Sequence, residues 1–524
     1  MNPSKPCRTS IPLLLLAATV PSVLTAGNTW DGGGANSQWQ TAANWNPDGV
    51  PVANTAVVFT GNVRTTPIIA APVSASGITF DSNAGAFTFL SNAGDVTTVG
   101  SGGIANNDGD LQTFNTPLLA GASQTWSATS GNLAFLDSIQ IDSPRAVTLG
   151  GAKEISCTGR LTGTGALNLQ STGVVRVGNA ASTLSGVIRL LGGGTLVMTA
   201  SGGMGSGTLQ FQAGIIRAEV PVTLGNLIAF PGTSLVEFTG ANPMTFNGIV
   251  SLGASRALTV SEGTTAFNGA IGQSVTGSGL AKNGAGTLIL GGAAANTFNG
   301  PLTVNEGTLV LQKSGGVAPA GGNFVVGNGL AGNGISTPAE IVIAAPNQIP
   351  ATATVTVNRA LLSCNAAEDG FAALTLNGGG VRVNSGAVLQ LPPLLTVQSS
   401  GVSSSIGTDT PGLPGSIQVD TPVTAEVSAG AVTPIFGTAV PLTGGAAITK
   451  NGSGTWSMSG SGASTSSGIF QVNGGLLLLA KNAGAAALNG RVNVAPNHMP
   501  GALSGRAVSR HSTARSGGRP PAPV

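Results

Sequence analysis

The chain has no tyrosine, and its two histidines, His498 and His511, both lie beyond Pro496. No histidine stands between Ala26 and Asn497. That removes a Ser-His-Asp relay from the body of the protein and histidine-based zinc binding with it. Cysteine is equally scarce. Cys7 sits in the N-terminal segment, and Cys157 with Cys364 cannot make a zinc cluster alone. Small secreted domains use many disulfides to offset an inadequate core. This chain does not, so a large continuous core is expected, with both cysteines free and buried. Charged residues make up only 8% of the chain and the net charge is +2, which gives no electrostatic case for nucleic acid. At 41% hydrophobic the chain is too apolar for general disorder. The Gly runs Gly315-Gly316 and Gly378-Gly379-Gly380 lack a following Gly-Lys-Ser or Gly-Lys-Thr, so they read as turns and not phosphate loops. Past the N-terminus no apolar stretch is long enough to span a bilayer. No window carries a helical stripe with caps.

What is present is a repeat. Lys282-Asn283-Gly284-Ala285-Gly286-Thr287-Leu288 continues through Asn296-Thr297-Phe298-Asn299-Gly300 to Asn305-Glu306-Gly307-Thr308-Leu309. Lys450-Asn451-Gly452-Ser453-Gly454-Thr455-Trp456 begins a second copy that closes at Asn473-Gly474-Gly475-Leu476-Leu477. A weaker copy opens at Gly163 and ends at Val197. One such unit cannot bury its apolar face alone, so copies must stack. Phe-Asn-Gly recurs at 246–248, 267–269 and 298–300, and Asn-Gly favours the positive φ of tight turns.

Between the turns the apolar residues alternate. Val175 and Val177 flank Arg176, Ile188 and Leu190 flank Arg189, and Leu209 and Phe211 flank Gln210. Val355 and Val357 flank Thr356, Leu374 and Leu376 flank Thr375, Val381 and Val383 flank Arg382, and Ile417 and Val419 flank Gln418. This is period two with one face buried. Short strands, dense Gly and Asn at turns, and a true repeat favour a parallel β-helix over a sandwich. At about 20–25 residues per coil, residues 111–495 would make about 16 coils and a rod of about 75 Å.

Four segments follow from this reading. Residues 1–26 read as a cleaved signal peptide: Lys5 and Arg8 precede the apolar run 11–24, and Ala26 suits the cleavage site. Residues 27–110 read as a Trp-rich entry or cap module. Its Trp30, Trp39 and Trp45 are either a plug for the open end of the stack or a sugar-stacking platform. Residues 111–495 form the β-helix. Residues 496–524 read as a disordered basic tail holding Arg506, Arg510, Arg515 and Arg519,. The abrupt change near Pro496 is the pattern expected of a disrupted frame or a truncated gene.

The repeat resembles the autotransporter-associated β-strand repeat family. Leu280-Ala281-Lys282-Asn283-Gly284-Ala285-Gly286-Thr287-Leu288, the Asn296–Gly300 turn with Phe298 at its aromatic position, and Asn305–Leu309 carry the likeness. The second copy departs at Trp456, and its turn 464–468 lacks the aromatic. Trp30-Asp31-Gly32-Gly33, Asn44-Trp45 and Val58-Phe59 are similar to the opening of such proteins. The resemblance implies the fold class all-β, right-handed parallel β-helix (β-solenoid), in a passenger that is secreted or at the cell surface. Full-length members often end in an outer-membrane barrel or sorting anchor, and neither pattern is visible in this sequence.

No catalytic, cofactor-binding or metal residues are assigned. Asn106-Asn107-Asp108-Gly109-Asp110 offers oxygens but lacks the closing ligands of a calcium loop, so it reads as a polar turn. Glu368 and Asp369, being adjacent, face opposite ways if extended. Asp137 and Asp142 form no recognisable pair. The expectation is a non-enzymatic structural or adhesive surface β-helix without cofactors. Its partners would be cell-surface glycans or other surface proteins, not nucleic acid, with end-to-end self-association. The alternatives are a carbohydrate-binding passenger using exposed aromatics and a polysaccharide lyase or hydrolase, since glycosidase chemistry needs two carboxylates at a set separation.

Overall fold

The structure, a computed structural model, describes residues 28–92, 94–314, 322–329, 338–368, 370–408, 415–430, 436–482 and 484–496, with the backbone of strand Leu503–Ser504. The alternating segments form short strands that pair coil on coil in parallel. A first ladder climbs from Asn28–Trp30 to Ile271–Gln273. A second, of 20 strands, runs from Ile68–Ile69 to Val492–Val494. A third runs from Val222–Leu224 to Leu503–Ser504. The first side is continued later by Val388–Gln390, Ser416–Gln418 and Leu442–Thr443. Each coil visits the sides in the same order. Registered residues recur about once per coil, as in Leu167↔Ile188↔Leu209. The result is an all-β parallel solenoid of about nineteen turns, a rod of about 90 Å at the spacing of paired strands.

The inward residues read from alternation are inward. Val175, Val177, Ile188, Leu190, Leu374, Leu376, Val381, Val383, Ile417 and Val419 are all buried in one continuous core. Arg176, Thr375 and Gln418 lie on the other face. Parallel pairing already runs through residues 28–110, because strands Thr55–Gly61, Val73–Ala84, Thr97–Asn106 and Gln124–Ala128 belong to one ladder. The first edge of that ladder is covered. Trp45–Asn46 runs antiparallel to it, pairing Trp30 with Trp45. At the other end, strand pairing reaches past Pro496, with Leu477↔Leu503 and Leu478↔Ser504. Residues 497–502 and 505–524 of the basic tail, like those of the signal segment, lie outside the described residues.

The Phe-Asn-Gly glycines do not serve as positive-φ turns. Gly248, Gly269 and Gly300 all have negative or extended φ. They are needed because coils touch there backbone to backbone. A Cβ on Gly248 would stand 1.9 Å from Asn226 O, one on Gly269 1.9 Å from Gly248 O, and one on Gly300 2.3 Å from Gly277 O. Positive φ belongs instead to the repeat glycines Gly284, Gly307, Gly452 and Gly475. The buried Phe246 and Phe267 just before this column stack at 5.3 Å. Gly248→Ala should therefore cost about 1–3 kcal/mol or more by overpacking. Gly225→Ala, where nothing lies within 4 Å, should be neutral or slightly stabilising. Thermal melts of the two variants check this, and equal melting would contradict the backbone-contact explanation.

Candidate functional site

The least expected groups are buried cations. Parity from Leu280 turns Lys282 inward, and parity from Ile448 does the same to Lys450; both are fully buried. Lys282 Nζ donates to Asn283 O at 3.1 Å, to Gly284 O, and to Glu306 O at 3.0 Å. Lys450 Nζ donates to Asn451 O at 3.5 Å, Gly452 O at 3.1 Å and Gly474 O at 2.6 Å. Two other inward cations also meet carbonyls. Lys313 Nζ reaches Gly269 O at 3.0 Å. The Arg256 guanidinium reaches Gly232 O and, at 3.1 Å, Gln212 O, and lies 5.4 Å over the Phe230 ring. Period-two alternation contained this signal, but a lysine in an apolar row is not ordinarily read as core.

Aromatic recognition of sugars is closed off. All 5 tryptophans and all 16 phenylalanines are buried, and there is no tyrosine. The stacking-platform reading of Trp30, Trp39 and Trp45 is thereby overturned. Trp39 and Trp45 meet edge to face at 4.7 Å, and Trp45 Nε1 donates to Trp39 O at 2.8 Å. Phe59 continues the cluster at 5.8 Å from Trp30. Aromatic rings prefer such offset and edge contacts, and here they fill the first coils of the rod.

The carboxylates singled out in the sequence accept hydrogen bonds from nearby amides. Asp108 accepts Asp110 N at 2.7 Å, Asp137 accepts Ser138 N at 2.6 Å, and Asp142 accepts Gln140 Nε2 at 2.8 Å. Asn106 Nδ2 donates to Asp110 O and Asn132 O, each at 2.9 Å, so the 106–110 segment is a hydrogen-bonded polar turn. Glu368 is buried and accepts Gln348 N at 2.8 Å. Asp369 lies outside the described residues. Among the described residues no three of His, Cys, Asp or Glu come together to hold a metal.

On the outer face of the second ladder, Arg176 pairs with Glu154 at 3.1 Å and with Glu219, which Arg217 also meets at 3.1 Å. This network closes over Val197, an outward residue that is nonetheless buried between Arg176 and Arg217. The hydrogen bond from Arg176 holds the Glu219 carboxyl below its ordinary range. A glycosidase acid needs the opposite shift. Cys157 and Cys364 are free and buried, and burial raises the Cys157 thiol to about 12. No helix among the described residues is long and apolar enough to cross a membrane.

Residues 280–311 and 448–479 match the family model described as passenger-associated-transport-repeat. The chain is also similar to the adhesin BmaC autotransporter of Brucella suis biovar 1 (strain 1330). It is 31% identical over 284 residues, covering 49% of this chain and 8% of that protein. This chain thus aligns with a small part of that relative's length. No solved structure matches the chain.

The buried lysines set a pH dependence. Burial lowers Lys282, Lys313 and Lys450 from 10.5 to about 8, with Glu306 opposing the shift at Lys282 and Glu426 at Lys450. Above pH 8 the unfolded chain keeps protons on these lysines that the folded chain has released, so stability rises with pH. Above pH 9 the two buried thiols, raised from 9.0, work in the other direction. Denaturation midpoints should therefore increase from pH 7.5 to 9 and flatten beyond. The double variant Lys282→Met, Lys450→Met should lose most of that increase. A midpoint that falls from pH 7.5 to 9 in the unaltered protein would contradict the assignment.

Proposed function

We propose that the chain is a non-enzymatic structural and adhesive β-solenoid, presented outside the cytoplasm or at the cell surface. The observation that carries this reading is the distribution of side chains. Every tryptophan and phenylalanine ring is inside, and the carboxylates named above accept hydrogen bonds from amides or sit in ion pairs. Part of what faces outward on the ladders is rows of polar residues, such as Thr356, Thr375 and Thr396 in successive coils. Several outer amides bridge coils: Asn268 Nδ2 donates to Asn247 Oδ1 at 2.9 Å and Asn384 Nδ2 to Asn365 Oδ1 at 2.7 Å. Such a surface offers many similar weak contacts along the rod. The likeness to a protein named as an autotransporter adhesin points the same way. Surface glycans and surface proteins are the partner classes this reading takes.

Binding by many weak contacts depends on valency. Beads densely coated with the full chain should be retained on cultured-cell surfaces above uncoated beads, while the free chain binds weakly. Thr375→Asp alone should change retention little. Incubation with neutral or acidic polysaccharides, with or without Ca²⁺, should release no new ends. Steady release of reducing or unsaturated ends, abolished by one Asp or Glu substitution, would replace this reading with an enzymatic one.

A further inference from the structure

We infer that the two copies of the repeat that begin at Lys282 and Lys450 are register steps in the solenoid, each held by an ammonium group in a cage of backbone carbonyls. The inward residues of the second ladder show the step. Before the first copy, strand Arg256–Val260 turns three residues inward: Arg256, Leu258 and Val260. In the next coil Leu280 stacks on Arg256 and Lys282 on Leu258. Val260 has no strand residue above it. The chain has turned at Gly284, and a Cβ there would stand 2.5 Å from Val260 O.

The second copy repeats this geometry. Strand Val423–Val427 again turns three residues inward, Val423, Ala425 and Val427. Ile448 stacks on Val423 and Lys450 on Ala425, while Gly452 approaches Val427 O at 2.3 Å in the same sense. Gly286 N and Gly454 N then bond Val260 O and Val427 O at 2.8 and 2.9 Å. Between the copies one inward column keeps its register from Lys282 through Val304, Val326, Val357, Leu376 and Val397 to Val427. At each copy the strand therefore slides by one inward pair, about 6.6 Å along its own direction.

A sliding strand pulls its corner into the core and takes carbonyls with it. A buried carbonyl without a donor is costly, and an ammonium carries three donors. Lys282 and Lys450 supply them at matching offsets, to the carbonyls one, two and 24 residues ahead. The third acceptor belongs to the following coil, so the lysine also ties the step to its successor. Leu258 and Val304 sandwich the Lys282 stem, and Ala425 and Val472 the Lys450 stem.

Peptide-resolved hydrogen exchange on the full chain at pH 7 tests this. Lys450→Met keeps the stem and removes the donors. Residues 448–479 should then open about 10–100-fold more readily, while 280–311, with its own lysine, is unchanged. In Lys450→Ala, propylammonium chloride should restore protection and 1-propanol, at matched ionic strength, should not. Unchanged protection in Lys450→Met overturns the cage. So does rescue of Lys450→Ala by 1-propanol as fully as by propylammonium, or by neither, any of which leaves the lysine as packing alone.

Discussion

Everything in this rod follows from stacking backbone on backbone at the spacing of paired strands. Hydrogen bonds between coils fix the rise at about 4.8 Å, so each side chain sits on the one a coil earlier. Inward rows become apolar columns, and some outward rows become ladders of similar polar groups, as at Thr356, Thr375 and Thr396. The corners suffer most from this constraint, because a turning backbone cannot pair as a strand does. Its carbonyls meet either the next coil's glycine or a side-chain donor. Gly186, Gly207, Gly248 and Gly269 answer the first need along one corner. Asn226, standing where that column would have another glycine, answers the second. Its Nδ2 donates to Gly205 O at 3.2 Å and Gly207 O at 2.7 Å.

Much of this was legible in the sequence, because period-two alternation is a local property. Val175, Leu209, Leu374 and Val381 could be turned inward from their immediate neighbours, and the repeat at Lys282 and Lys450 required stacking. The illegible parts are those set by the coil above or below. Lys313, Gln348 and Glu368 form one buried polar chain, in which Gln348 bridges Lys313 N at 2.8 Å and Glu368 at 2.8 Å. Their separations in sequence give no hint of it. The Phe-Asn-Gly glycines misled for the same reason. Asn-Gly carries a local φ preference, whereas the neighbouring coil's carbonyl is what excludes a side chain.

Trp456 shows how the same constraint absorbs a departure from the repeat. It replaces the leucine at that place in the other copy, yet it is fully buried. Phe436 in the coil before lies 4.9 Å away and Phe470 5.2 Å away. Its indole N–H donates to Thr438 Oγ1 at 3.2 Å. The ring sits in register on Phe436, and the same preceding strand supplies an inward hydroxyl at Thr438 for the indole N–H. A repeat motif therefore constrains columns more than residues, and a match by motif alone understates how much sequence can vary within one geometry.

The columns also explain why function is hard to localise. Side-chain chemistry that usually marks a site is directed inward or tied up: rings in the core, cations on corner carbonyls, carboxylates on turn amides. Stretches of the remaining outer face repeat from coil to coil, as at Thr356, Thr375 and Thr396. Contact with a surface then scales with the number of coils presented, as multivalent binding does. A change that preserves whole coils preserves both the core columns and the outer rows. A one-residue slip within a strand would exchange them, sending Leu and Val outward and Thr inward. Rod length can therefore vary by whole coils while the register within each strand cannot. That asymmetry suits a spacer or adhesive surface better than a centre where a few atoms must meet.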